Sequence, residues 1–499
     1  MAREDVHKLM QGVREGQLSR RDFMKRAAAL GFSASAIAAF LAACGASATA
    51  TAVQPTVASV ATTAAQAGAG STAAAAATTV ATNVPAGAGS TAAAAATNPA
   101  GAATAVATAV QGAAGGGAGG SIKLYSSFPR TGANKSQTDG VVNAIKMALD
   151  EANYTAGNFK IVYGQTEDLD DGVPAKSGNW DGGQEAANAS KAVADPDCMV
   201  YIATFNSGAA KISIPITNKA DLAMISPANT YTGLTKNVEG AVEKGEPDVY
   251  FPSGKRTYSR VIPTDDLQGA VGASFAKDEG VKKVYVLDDT ELYGHGLASV
   301  FAQQAKKLGL DVTGQEGIDN KATDYRSLAQ KIKTAGADMV YFGGITGNNA
   351  PKLWKDLRAV LGNDVKLMGP DGIFDQDFLN GAADAAEGTF ISFGGLPPEK
   401  LTGKGADFAS KYKTKYNLDP SSYAAYGYEA ASVVVDAIKR AGKKDRTAIR
   451  EAIMGTKNWD GILGKWSFTE TGDTTLTAMS INTVKNGKFE YLKTVEAKS

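Results

Sequence analysis

The chain has 499 residues, with 51 Lys and Arg balancing 51 Asp and Glu, 44% hydrophobic residues, two Cys and two His. A formal charge of zero leaves no electrostatic footprint for nucleic acid, two cysteines cannot build a disulfide scaffold, and two histidines cannot furnish both a His-based metal cluster and a catalytic triad. The composition is uneven enough along the chain that the first quarter is read separately.

Ser19 to Lys25 reads S-R-R-D-F-M-K, and an apolar, small-residue run from Ala27 to Ala43 follows, too short for an ordinary membrane span of about 20 residues. With Arg20 and Arg21 placed just before Phe23 and that run, the segment resembles a twin-arginine export signal. The run closes as L-A-A-C-G at Leu41 to Gly45, which resembles the lipobox of bacterial lipoproteins and implies cleavage before Cys44 and acylation of its thiol. Residues 1–43 are then a signal peptide, and their loss leaves a formal charge of about −3. No polybasic patch supplements the anchor, so the lipid chains hold the protein alone. The second cysteine, Cys198, is left without an intramolecular partner and is expected to be a small buried residue rather than a nucleophile.

Residues 44–120 form the next unit. From Gly45 to Gly120 there is no charged or aromatic residue, only Ala, Thr, Gly, Val and Ser with scattered Pro, Gln and Asn, a composition that cannot bury a core. A near-copy, A-G-A-G-S-T-A-A-A-A-A-T, begins at Ala67 and again at Ala86, as in low-complexity expansion. As a flexible coil this tether spans on the order of 50 Å root-mean-square.

Ser121 to Ser499 is long enough for two lobes with separate cores. Short β-rich runs are predicted at Ile122–Ser127, Phe159–Tyr163, Met199–Ala203, Lys283–Leu287, Met339–Gly343 and Thr389–Phe393. Helical patterns lie between them, as at Gly140–Asn153, where Val141, Ile145, Ala148 and Ala152 share a face, and at Gly296–Leu308. Strand and helix in alternation argue for parallel α/β sheets. Ligands of such sheets bind beyond the carboxyl ends of the strands. The loops to watch are therefore F-P-R-T-G-A (Phe128–Ala133), T-F-N-S-G (Thr204–Gly208) and S-P-A-N-T (Ser226–Thr230).

Six stretches, in this order and spacing, carry a further likeness: M-I-S-P-A-N-T (Met224–Thr230), R-V-I-P-T-D-D-L-Q-G (Arg260–Gly269), L-Y-G-H-G-L-A (Leu292–Ala298), Y-F-G-G (Tyr341–Gly344), M-G-P-D-G (Met368–Gly372) and Y-G-Y-E-A-A (Tyr426–Ala431). On these the chain resembles the leucine-isoleucine-valine-binding family of periplasmic solute-binding proteins of ABC transporters, across nearly all of Ser121 to Ser499. The resemblance implies a type I periplasmic binding protein fold: α/β, with two Rossmann-like lobes of parallel sheet joined by three crossovers. Lobe 1 is expected from residues 121–262 plus 392–465 and lobe 2 from residues 263–391 plus 466–499, with crossings near Ile262–Thr264, Ile391–Phe393 and Trp466.

It also implies a site. A free amino acid needs anion donors, an acceptor for its ammonium and a fitted wall. Ser207 and Thr230 match positions that bind the α-carboxylate, Ala228 matches one whose carbonyl accepts from the ammonium, and Asp371 stands where the family commonly has a glutamate that pairs with the ammonium. Asp is one methylene shorter, which shifts the ligand, calls for a bridging water or signals a different ligand. Of Tyr423, Tyr426 and Tyr428, Tyr423 is expected as the ligand wall. Ile345 and Gln137 replace aromatic positions of the family, and Arg130 is a candidate for a second ligand carboxylate. Taken without the likeness, Ser207 and Thr230 are ordinary helix-capping residues and Asp371 an ordinary turn residue.

Glu167–Gly183 and Lys236–Tyr258 are longer than the family pattern and are expected as surface elaborations. The first has oxygen ligands enough for Ca²⁺ but lacks the D-x-D-x-D-G spacing. His295, in Y-G-H-G, is expected to be structural. No cofactor motif, Walker A, G-x-S-x-G or H-E-x-x-H is present, and no cofactor, metal or catalytic activity is expected. The reading is a lipid-anchored binding protein on the outer face of the cytoplasmic membrane that delivers a small amino acid to an ABC permease. The alternatives are a ligand-sensing receptor subunit with the same fold, or a binder of amides or other small carboxylates.

Overall fold

The computed structural model describes residues 119–172 and 180–497. The division of the chain falls after residue 108, and residues 109–499 make up the second unit. Every described residue belongs to the second unit, and Arg20, Arg21 and Cys44 lie outside the described residues.

Seven strands make the first sheet: β1 (Gly119–Phe128), β2 (Thr155–Ala156), β3 (Phe159–Val162), β4 (Asp168–Asp170), β5 (Cys198–Ala203), β6 (Ala223–Ser226) and β7 (Tyr258–Arg260). They lie in the order β2-β3-β1-β5-β6-β7, with β4 beside the end of β1. All pairings are parallel except that of β2 with β3. β1 begins at Gly119, inside the stretch expected as tether, because Gly119 already pairs with Phe159.

The second sheet collects β8 (Lys283–Asp288), β9 (Asp311–Gly317), β10 (Met339–Gly343), β11 (Lys366–Gly369) and β12 (Phe390–Phe393), all parallel. A hairpin of β13 (Trp459–Gly461) and β14 (Gly464–Trp466) stands apart, and β15 (Ala478–Lys485) and β16 (Lys488–Glu496) then extend the sheet antiparallel beyond β12. The order is β16-β15-β12-β11-β10-β8-β9.

The strand sequences show why. Parallel strands covered by helices on both faces are apolar throughout, and every residue of β5 (C-M-V-Y-I-A) and β10 (M-V-Y-F-G) is buried. The edge strand β16 (K-F-E-Y-L-K-T-V-E) instead alternates exposed and half-buried residues along its whole length.

Helices cover both sheets: α1 (Lys135–Glu151), α2 (Gly182–Ala194), α3 (Ser207–Lys219), α4 (Asp265–Asp278), α5 (Leu292–Lys307), α6 (Arg326–Ala335), α7 (Ala350–Leu361), α8 (Gln376–Ala382), α9 (Lys404–Tyr416), α10 (Ala424–Ala441) and α11 (Arg446–Met454). The apolar face predicted for α1 is buried at Val141, Ile145 and Ala148, and packs on α10. A side chain at Gly427 would put a Cβ 2.6 Å from the Val141 carbonyl oxygen, so glycine sets how closely these two helices approach. α11 packs on β5 and β6, so the chain has returned to the first sheet after β12.

The chain changes sheets after Arg260 and again after Phe393. The second change comes at the late limit of its expected range because β12 stays paired with β15 through Phe393 and Ser480. Beyond Trp466 the connecting segment is still tied to the first sheet, Asp473 bridging to Arg260. The Arg260 side chain is fully buried. Its Nε donates to Asp473 Oδ1 at 2.7 Å, Nη1 donates to the carbonyls of Tyr231 (2.7 Å) and Asn229 (3.2 Å), and Nη2 donates to the Thr235 hydroxyl. Burial alone would raise the Asp473 carboxyl, but the Arg260 guanidinium overrides it and holds the group below the usual carboxylate range. Removing one partner of such a pair strands the other charge. Arg260→Met is expected to lower unfolding stability by about 3–5 kcal/mol in chemical denaturation, with Arg260→Met/Asp473→Leu recovering part of that loss.

Candidate functional site

The strands of both sheets point their carboxyl ends at one cleft, with about 430 Å³ of empty space, part of it open to solvent. From the first lobe come Phe205, Asn206, Ser207 and Gly208 after β5, Ala228 and Thr230 after β6, and Tyr423 at the start of α10. From the second come Asp289, Glu291 and Tyr293 after β8, Ile345 after β10, and Asp371 with Gly372 after β11. All five residues expected to touch a ligand, Ser207, Ala228, Thr230, Asp371 and Tyr423, line this one cleft.

Ser207 is the first residue of α3, a 13-residue helix whose amino end faces the cleft, a favourable place for an anion. Its hydroxyl accepts from the Tyr231 N–H at 3.3 Å, so it also braces the neighbouring loop. That loop turns on Ser226, whose Oγ accepts from the N–H groups of Ala228 (3.1 Å) and Asn229 (2.9 Å). The Thr230 carbonyl accepts from the Asp265 N–H at 2.9 Å, joining the loop to the start of α4 in the other lobe.

On the opposite wall, Gly294 and Gly343 bring the loops after β8 and β10 together. A Cβ on Gly343 would lie 2.2 Å from the Gly294 carbonyl oxygen, so Y-G-H-G and Y-F-G-G are two halves of one backbone contact. The buried Asp289 is held by that contact, accepting from Asn348 Nδ2 (2.8 Å) and the N–H groups of Glu291 (3.1 Å) and Ile345 (3.2 Å). Burial pushes its carboxyl up to about 7 in spite of these donors.

Asp371 is also buried. Its carboxylate accepts from Gln268 Nε2 (2.5 Å), from the Tyr293 hydroxyl (2.8 Å) and, across the lobes, from the Tyr423 hydroxyl. Burial raises its pKa and the three donors pull it back. Asp265 is near it and fully buried, and among the described residues the Thr230 hydroxyl is the side-chain donor that draws its carboxyl down. Burial first, and the charge of Asp371 second, push Asp265 well above its ordinary range.

Tyr423 is more than a wall. Its ring meets Phe205 edge-on at 5.2 Å while its hydroxyl holds Asp371. Tyr426, one turn on, bonds the Gly394 carbonyl in the connection between sheets, and Tyr428 faces away to Glu151. Arg130 does not reach the cleft; it pairs with Asp139 (2.9 Å) and Asp168 (3.4 Å). Gln137 lines a neighbouring crevice on the other side of Tyr423. The Cys198 thiol is buried and pushed up to about 12, chiefly by that burial. Asp168 and Asp170, considered as Ca²⁺ ligands, already accept from Ser126, Arg130, Thr131, Lys146 and Gly172.

The sequence reading missed Phe205, Asp289, Glu291, Tyr293 and the buried Asp265. The signal was available, since D-D-T-E-L-Y-G directly follows a predicted strand. Glu167–Gly183 is expected as a surface elaboration, but Trp180 in that insertion packs against two residues that line the cleft, Gly208 and Glu291. A Cβ on Gly208 would be 2.4 Å from the Trp180 ring, and Trp180 Nε1 reaches Glu291 Oε2 at 3.4 Å in the other lobe.

Residues 121–488 match the periplasmic binding protein family, to which this chain therefore belongs. It is 27% identical over 378 residues to a Leu/Ile/Val-binding protein homolog of Brucella abortus, covering 73% of this chain and 91% of that one. Among solved structures it is similar to the leucine binding protein LivK of Thermotoga maritima, with 25% identity, a TM-score of 0.66 and coverage of 75% and 99%. The branched-chain amino acid substrate-binding protein LivJ of Streptococcus pneumoniae, in complex with isoleucine, shares the fold at 23% identity and a TM-score of 0.64, again covering 75% and 99%. Two lobes of parallel sheet about one cleft suit a solute-binding role.

Two buried carboxyls, Asp289 and Glu185, are raised to about 7. A carboxyl whose folded pKa lies above its unfolded value stabilises the fold fully below the unfolded pKa, and that contribution is lost as pH rises through the folded one. The melting temperature of the ligand-free protein is therefore expected to fall as pH is raised from 5.5 to 8, with Asp289→Asn reducing the slope. Scanning calorimetry across that range checks it.

Proposed function

We propose that the cleft captures a small amino acid, branched-chain or similar in size, and delivers it to an ABC permease. The observation that carries this reading is the opposition of Ser207, Gly208 and Thr230 on one lobe to the Asp371 carboxylate on the other. A helix amino end with hydroxyls suits a carboxylate, and a buried carboxylate suits an ammonium. A zwitterion bridges both, so it makes its full set of contacts only when the lobes close, and binding shifts the hinge equilibrium without any chemistry. The names of the relatives, as binders of leucine, isoleucine and valine, support the same class. In this reading the role is capture and release, not catalysis, as the solute-binding names of the relatives suggest.

The amino-terminal quarter fits the same task. In this reading residues 1–43 direct export through the twin-arginine route, Cys44 carries the lipid, and residues up to about 118 tether the binding unit beside its permease at the outer face of the cytoplasmic membrane. Among the described residues no helix is long and apolar enough to cross a membrane. Metabolic labelling with a radioactive fatty acid is expected to mark the wild type and leave Cys44→Ala unmarked, while Arg20→Lys/Arg21→Lys abolishes export.

Calorimetric titration with the amino acids, each paired with its deaminated 2-hydroxy acid, tests the site itself. At least one amino acid is expected to bind saturably, its hydroxy acid not, and Asp371→Asn to weaken binding by roughly 10- to 100-fold, the worth of a charge-assisted bond. Binding confined to acids that lack an amine contradicts the reading.

A further inference from the structure

The insertion Lys236–Tyr258, expected as a surface elaboration, is fastened at its middle by one buried carboxylate. Glu246, only 3% exposed, accepts from the Tyr231 hydroxyl at 2.7 Å, from the Glu243 N–H at 2.8 Å and from the Tyr250 hydroxyl. A Cβ on Gly233 would fall 2.1 Å from Glu246 Oε2 and 2.5 Å from the Tyr231 ring, so glycine there gives the two side chains room to meet. Three donors on one buried carboxylate fix the ring that supplies one of them.

Tyr231 stands at the boundary of the lobes. It directly follows Thr230, its N–H donates to the Ser207 hydroxyl at 3.3 Å and its carbonyl accepts from Arg260 Nη1 at 2.7 Å, so its backbone belongs to the first-lobe wall of the cleft. Its ring meets the other lobe. A Cβ on Gly296, in α5, would lie 2.4 Å from that ring, so the helix has a notch there and the ring fills it. Leu292, one turn earlier on α5, packs against the first-lobe cluster that contains Tyr231, Leu234, Tyr250 and Phe251. Two turns beyond Gly296, Gln303 meets the insertion itself, where a Cβ on Gly240 would be 2.9 Å from its Nε2. Positions 292, 296 and 303 share one face of a helix, so α5 lies along the insertion. The start of the insertion reaches α4 as well, Lys236 Nζ donating to Asp266 Oδ2 and to the Thr264 hydroxyl, each at 2.9 Å.

We propose that Glu246 is a positioning residue for ligand capture: it holds the Tyr231 ring in the notch at Gly296, which makes the insertion a brace between the lobes that strengthens their closed arrangement and slows release. This rests on the reading of the cleft as a capture site and adds the element that keeps it shut. Two measurements on the purified full-length protein separate the two claims. Hydrogen–deuterium exchange, read by mass spectrometry with and without isoleucine, is the first. Glu246→Gln and Tyr231→Phe are expected to speed exchange in residues 292–307 of the second lobe, and Gly296→Ala, whose methyl pushes the ring from its notch, to speed it in residues 231–258 of the first. A change confined under both conditions to the lobe that carries the substitution overturns the brace. The second is stopped-flow release of isoleucine and leucine, expected to be about threefold to tenfold faster in Glu246→Gln and Tyr231→Phe, the worth of one hydrogen bond, while association stays within about twofold. An unchanged release rate also overturns the proposal and leaves the capture reading standing. Binding of neither amino acid overturns the branched-chain reading, and exchange alone then decides the brace. Far-ultraviolet circular dichroism of each variant verifies folding.

Discussion

The buried guanidinium of Arg260 ties together three parts of the chain that no secondary-structure element connects. It ends the last strand of the first sheet, it holds the carbonyls of Asn229 and Tyr231 on the loop that carries Ala228 and Thr230, and it pairs with Asp473 on the segment that later leaves for the second sheet. Thr235 closes the set by donating to Asp473 at 2.8 Å and accepting from Arg260. A charge this deeply buried is tolerable only when its donors are satisfied. The arrangement fixes the geometry of one cleft wall from behind, while leaving the groups in front of it free to meet a ligand.

The facing wall works by the opposite economy. Asp265, Asp289, Glu291 and Asp371 are acidic groups whose pKa values burial raises. Without a cation between them, adjacent carboxyls such as Asp265 and Asp371 resist ionising together. In the proposed reading, a ligand ammonium between the walls offsets that repulsion. Tyr423 couples this to lobe position, because its hydroxyl comes from the first lobe and its acceptor, Asp371, belongs to the second. In the proposed reading, ligand charge and closure meet at this one bond between the lobes.

Much of this was legible in the sequence, for reasons that differ by residue. The fully apolar runs of β5 and β10 announced covered parallel strands, and the order of six short stretches identified the family and its two lobes. Ser207, Ala228, Thr230 and Asp371 converge because loops leaving parallel strands share one end of a sheet, and Tyr423 joins them from the start of α10. What the pattern could not give was pairing at a distance. Nothing local to Arg260 points to Asp473, 213 positions away. Trp180 looked like part of a polar insertion, because its role depends on a glycine at position 208 that gives its ring room. Glu291 looked like a helix cap, and its side chain turned elsewhere.

The central claim is that a zwitterion draws the lobes together by filling both walls at once. Small-angle X-ray scattering of the protein, alone and saturated with an amino acid shown to bind, measures that directly. A smaller radius of gyration with ligand in the wild type, absent in Asp371→Asn at matched occupancy, is the result that closure by both walls requires. An unchanged radius in the saturated wild type contradicts capture by hinge closure.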